Sequence, residues 1–199
     1  MNEKAISTLN ELLDLAKRLH GEDNVNVSGT YNLMGYNYMM MSDVKNAIAN
    51  LNKCISIDIK VYGEKSLEVI RDYNILASMY RMTGETDKAI ATYVIVENLA
   101  ALTEDEDAKN ALTEAYTNIA ALYMESKNFE AAHEYMGKKI HLCMHLYGRV
   151  SREVLEAYNQ MLSIVSHMED SDEEIAEILQ EIDDIREKAG ISDEECGKK

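Results

Sequence analysis

The sequence has no proline and no tryptophan among its 199 residues. Proline is the residue that most reliably interrupts a helix, so its absence favours long unbroken ones. No run approaches eighteen consecutive apolar residues, and a membrane-spanning helix is not expected. The opening stretch MNEKAISTLNELLDLAKRLHGEDN carries charges throughout, unlike a signal peptide. Cations are scarce, with 20 Lys and Arg against 36 Asp and Glu and a formal net charge of −16. A field of that sign repels phosphate backbones, so nucleic acid is not an expected partner; without an apolar span, neither is a membrane. The three cysteines, Cys54, Cys143 and Cys196, are odd in number and widely scattered. They read as free thiols in a reducing cytosol, and the expected location is cytoplasmic.

Catalytic signatures are also missing. There is no glycine-rich phosphate loop, no HExxH and no defensible Ser–His–Asp order. The best cluster is HLCMH, where His141 and His145 are four apart and share a helix face, a spacing that suits a common metal ion. A third ligand is not evident, because Cys143 lies off that face and His133 is two turns earlier. A metal-dependent enzyme using His141 and His145 is therefore the alternative of another class. The expectation is a non-enzymatic chain with no cofactor.

What is present is repetition. YGEKSLEVIRDYN at 62–74 returns as YGRVSREVLEAYN at 147–159, an offset of 85. Half that offset organises the rest. KAISTLNELL at 4–13 aligns with NAIANLNKCI at 46–55, and YNLMGYNYMM at 31–40 aligns with YNILASMYRM at 73–82. YTNIAALYME at 116–125 and YNQMLSIVSH at 158–167 continue the series. A fixed period between 20 and 50 residues signals stacked repeats.

Each unit reads as two helices. The first carries apolar and aromatic residues at helical spacing, as in Tyr73, Leu76, Ala77 and Tyr80. A short polar turn follows (MSD, TGET, SKN, MEDSD), and the second helix opens near Ala47, Ala89 or Ala132. Gly21, Gly63 and Gly148 suit the left-handed residue that ends a helix. Ser66 and Ser151 suit the N-cap of the next, with Glu68 and Glu153 in its positive first turn. One hairpin cannot bury its apolar faces alone, which is why the phrase repeats.

These features resemble the tetratricopeptide repeat. Its small residues correspond to Gly35, Ala77 and Ala120 in the first helices and to Ala47, Ala89 and Ala132 in the second. Its aromatic positions correspond to Tyr31, Tyr73 and Tyr116, with Tyr38, Tyr80 and Tyr123 following. The 42-residue unit is similar to the longer subtype of kinesin light chains, whose linker proline is replaced here by Leu67 and Arg152. The resemblance implies an all-α, right-handed α-α superhelix of about nine helices, with first helices lining a concave groove. The expected layout is a single solenoid over 1–190. It comprises a lone helix in 1–24, hairpins at 25–65, 66–106, 107–150 and 151–190, and a disordered tail at 191–199. In the lone helix, Ala5, Ile6, Leu9, Leu12, Leu13 and Ala16 form one expected inward stripe. In the last helix, Ile175, Ile178, Leu179, Ile182 and Ile185 do.

The expected function is a scaffold that holds a peptide segment or helix of another protein in the groove. A receptor for a short signalling peptide is the alternative within binding proteins. Counting from each first-helix tyrosine, residues one, five, eight and nine later share a face away from the core stripe. The expected binding residues are Asn32, Tyr36, Met39, Met40, Asn74, Ser78, Arg81, Met82, Thr117, Met124 and Asn159, with Arg71 at the border. An amide offers both donors and an acceptor, so an asparagine row can grip a peptide backbone. The competing reading is that each asparagine bonds the adjoining repeat and keeps register. Methionines would add adaptable apolar pockets. Self-association is expected at the N-terminal edge if a preceding repeat or another protomer belongs there.

Overall fold

A computed structural model describes residues 2–190. The expected tail at 191–199, with Cys196, lies outside the described residues. Among those described there are nine helices and no strand: α1 (Asn2–His20), α2 (Val25–Met40), α3 (Val44–Tyr62), α4 (Leu67–Met82), α5 (Thr86–Ala100), α6 (Glu106–Glu125), α7 (Phe129–Tyr147), α8 (Arg152–Val165) and α9 (Asp172–Ala189). The chain forms two compact units, a first up to Leu112 and a second from Thr113, so the boundary falls within α6.

Helix ends follow from local chemistry. Ser66 accepts from Val69 N–H and Ser151 from Val154 N–H, the N-caps their positions predicted. Ahead of α6, Asp105 Oδ1 accepts from the N–H groups of Asp107 and Ala108, so an acidic side chain caps where the glycine linker is missing. Gly63 and Gly148 differ from expectation in one respect. Their φ values of 91° and 82° are positive, but ψ is 154° and 158°, which is extended rather than left-handed helical backbone. That region is essentially closed to side chains, so these linkers depend on glycine.

The turns inside the hairpins share one hydrogen-bond pattern. Ser42, Gly84 and Lys127 have φ of 59°, 75° and 59°. Each N–H reaches back three residues, and the following N–H reaches the carbonyl of Tyr38, Tyr80 or Tyr123 at 2.9 Å. Two of the three therefore hold a side chain in left-handed geometry, at a cost of about 1–2 kcal/mol each. Lys127→Gly is expected to stabilise the chain by about 0.5–1 kcal/mol, offset in part by glycine's greater freedom when unfolded. Urea melts of the two proteins check this, and an unchanged or lowered midpoint refutes it.

In the first unit α1 packs on α2, α2 on α3, α3 on α4 and α4 on α5. Val27, Tyr31, Met34, Leu51, Cys54, Ile55, Leu76 and Met79 share its core. Helices approach closely where side chains are short: a Cβ added to Gly35 would lie 3.3 Å from the Ala47 carbonyl oxygen. The α1 stripe departs from expectation. Leu13 and Ala16 are buried, but Leu12 is exposed and points the same way as Leu15 and Leu19. Residues 12, 15 and 19 follow helical spacing and make a second, exposed stripe.

In the second unit, α7 packs on α8 and α8 on α9. Ala120, Met136, Ile140, Leu155, Met161, Ile178, Ile182 and Ile185 are among its core residues. Tyr135 lies against Tyr116 and Tyr123, with ring centroids 5.9 and 5.8 Å apart. Leu179 faces outward instead of joining the α9 stripe, because it follows Ile178 by one residue and so turns about 100° away.

Candidate peptide-binding face

The first helices of the first unit expose apolar side chains at matched positions. On α2 these are Leu33, Tyr36 and Met40, with 50%, 55% and 60% of their surface accessible; on α4 they are Ile75 and Met82, at 40% and 65%. Leu33 pairs with Ile75 and Met40 with Met82 across the 42-residue offset. Tyr36, Met40 and Met82 were expected here from spacing. Leu33 and Ile75 were not, although both lie two residues after a first-helix tyrosine, and 33, 36 and 40 form a helical stripe that the same periodicity could have found. Met39 turns partly into the core.

The asparagines are engaged elsewhere. Asn74 is buried and donates from Nδ2 to the Ala111 carbonyl oxygen at 2.9 Å. Asn32 donates to Asp72 Oδ1 at 3.2 Å. Both bonds link one first helix to the next, the register role weighed against peptide gripping. Ser78 Oγ lies 3.0 Å from the hydroxyl of buried Tyr93. Arg71 pairs with Asp107 at 3.6 Å, and Arg81 sits half-buried in the last turn of α4. In the second unit, Thr117 bonds the Thr113 carbonyl and Asn159 the Leu155 carbonyl, each within its own helix, and Met124 packs against that unit's core.

Next to Leu33 is an open groove of about 610 Å³ between α1 and α2, lined by Leu12, Leu15, Leu19, Val25, Gly29 and Leu33 among others. One repeat further along, the equivalent seat between α3 and α4 is taken by α2, which packs on α3 and reaches α4 through Asn32. The groove is thus shaped for a helix.

The histidines do not converge. His141 and His145 are exposed on α7, and His133 Nε2 lies 2.6 Å from Glu174 Oε1. Among the described residues, the one group of three potential metal ligands is Cys54, Asp58 and Asp72, all buried. Cys54 Sγ lies 3.4 Å from Asp58 Oδ2 and 3.5 Å from Asp72 Oδ2. Burial, hydrogen bonding to Asp58 and its charge push the Asp72 carboxyl up to about 7, against smaller opposing effects from Cys54 and Asn32. Burial and the same two carboxylates push the Cys54 thiol up.

Two tetratricopeptide repeat models match the chain, at residues 27–94 and 113–138. The chain carries tetratricopeptide repeats. A search of the curated proteins returns no match. Among solved structures, a putative kinesin light chain with nearly identical repeats from Podosopora anserina is 14% identical, with a TM-score of 0.70 over 96% of this chain and 89% of that one. The apo form of RapI has a TM-score of 0.70 at 13% identity, covering 96% of this chain and 66% of its own. MamA has a TM-score of 0.61 at 18% identity, covering 96% and 92%. At these identities the likeness concerns the fold, the all-α TPR-like solenoid class. Repeats of this family serve as protein-interaction scaffolds. No described helix of this TPR chain is long and apolar enough to cross a membrane.

Proposed function

We propose that the first unit is a non-catalytic receptor for an amphipathic helical segment of another protein, held against the exposed faces of α2 and α4 and the α1–α2 groove. The observation that carries this reading is the matched row of outward apolar residues, Leu33 with Ile75 and Met40 with Met82. Isolated exposed apolar residues need no explanation, but a row repeated across two hairpins beside a helix-sized groove marks a docking surface. Methionine adapts its shape to different partners, and Tyr36 offers an apolar ring with a polar end. The asparagines keep the repeats in register, so recognition rests on apolar contacts rather than on an amide ladder.

The test is a selection of binders from a displayed library of amphipathic helical peptides, followed by affinity measurement on variants. Tyr36→Glu combined with Met40→Glu is expected to weaken the selected peptides by about tenfold or more, as loss of central apolar anchors does. Both side chains are exposed, so the helical melt should be nearly unchanged. Selected peptides that bind the double variant as well as the parent would refute the reading.

A further inference from the structure

We infer that Cys54, Asp58 and Asp72 form a binding site for a divalent metal ion of borderline softness, zinc in the first instance, inside the first unit. This site is separate from the proposed docking face and does not depend on it.

The donor geometry is the first argument. One atom from each residue lies within 4.8 Å of the others. The thiol sulfur stands 3.4 Å from Asp58 Oδ2 and 3.5 Å from Asp72 Oδ2. A tetrahedral zinc ion with Zn–S of about 2.3 Å and Zn–O of about 2.0 Å sets its sulfur and oxygen ligands about 3.5 Å apart. Both sulfur–oxygen separations therefore already match those of ligands on one ion. Cys54 and Asp58 are four residues apart on α3, and Asp72 comes from α4, so rigid helices fix the spacing.

The second argument is an unpartnered atom. Asp58 is 6% exposed, and its Oδ1 is buried without a hydrogen-bond partner. A buried carboxylate oxygen in that state is costly unless something compensates it. Its sister oxygen faces the thiol, which ties this carboxylate to the cluster. Asp72, by contrast, has its Oδ1 held by Asn32 at 3.2 Å, which orients Oδ2 toward the sulfur. Such an outer hydrogen bond is the usual support of a metal-binding carboxylate.

The third argument is register. The repeat offset places Asp58 where the other units have Ala16, Ala100 and Cys143, and Asp72 where they have Thr30, Ala115 and Ala157. All six of those residues are buried. The fold thus uses small residues at both positions, and neither carboxylate is needed for packing. Two acids placed together beside a cysteine, at sites otherwise filled by small and mostly apolar residues, point to a ligand. A thiolate with carboxylates suits zinc or cobalt better than calcium or magnesium, which take oxygen donors only. Binding replaces the thiol proton with the metal and releases that proton to solvent; no redox change is involved.

The experiment uses chelator-treated full-length chain with zinc alone in equilibrium dialysis, and with cobalt alone as a spectroscopic probe. The expected result is one zinc per chain, and a cobalt complex with a thiolate-to-metal absorption band and tetrahedral visible bands. Cys54→Ser is expected to lose the thiolate band and bind zinc at least about tenfold more weakly, as is Asp58→Asn, with helicity checked by circular dichroism. His141→Ala should bind as the parent does. Absence of stoichiometric zinc, a cobalt spectrum without the thiolate band in the native chain, or binding lost on His141→Ala but kept on Cys54→Ser would each overturn the assignment. The native-chain spectrum decides even if a variant fails to fold.

Discussion

Tyr93→Ala is expected to lower stability by about 3–5 kcal/mol, whereas Tyr93→Phe should lower it by only about 0.5–1.5 kcal/mol. Tyr93 lies on α5 with none of its surface accessible and is among the largest fully buried side chains. Truncation removes an aromatic ring from the interior and leaves a cavity that rigid helices refill only partly. The phenylalanine variant keeps the ring and gives up the contact between the hydroxyl and Ser78 Oγ. Ser78 is half-buried and can turn to water, which keeps that loss small. Urea unfolding followed by circular dichroism gives both numbers. Equal losses for the two variants would mean that the hydroxyl, not the ring, holds α4 and α5 together.

The second large effect is a dependence on pH. In metal-free protein, the contribution of Asp72 to stability should fall between about pH 4 and pH 7 and then level off. In the unfolded chain an aspartate titrates near 3.9. In the folded chain Asp72 is raised to about 7 by burial and by the hydrogen bond and charge of Asp58. Between those values the folded state holds a proton that the unfolded state has released, so raising the pH favours unfolding. Below pH 4 both states are protonated and the contribution is complete; above pH 7 it is gone. Surface ion pairs such as Lys88 with Glu85, where Lys88 holds the carboxyl below its usual range, act in the opposite direction, so the parent curve alone is ambiguous. The informative quantity is the difference between the parent and Asp72→Asn. That difference should decline with pH by an amount on the order of a few kcal/mol, at about 1.4 kcal/mol per unit. Parallel stability curves for the two proteins would refute a raised Asp72 carboxyl in the folded chain.

The pattern of elements was open to reading because it depends on residues close in sequence. Ser66 and Ser151 cap the helices that follow them, and the tyrosine and alanine spacing marks each hairpin. The faces were harder. Asn74 fits a groove row by spacing, yet α6 comes close enough for the Ala111 carbonyl to take its amide. No periodicity reports how near the next first helix lies. Leu12 looked inward because the stripe it belongs to was counted without asking which helix would cover it. The Cys54 cluster was hidden for a different reason. Asp72 comes from another hairpin, and the thiol was read alone. Aligning the repeats position by position would have exposed the anomaly, since aspartate replaces threonine or alanine at Asp72 and a small side chain at Asp58.

The left-handed turn residues bear on how the chain can change over generations. Ser42 and Lys127 occupy a conformation that Gly84 adopts freely at the matching place. They belong to different units, so glycine at both should add, giving about 1–2 kcal/mol in total. Against a total stability of typically 5–15 kcal/mol, that is a sizeable reserve. A lineage that acquired either glycine could then accept a substitution that is harmful alone, such as a bulkier residue at Tyr36 or a new charge in the α1–α2 groove. New binding preferences cost stability, and glycine at two turns would supply the tolerance to explore them.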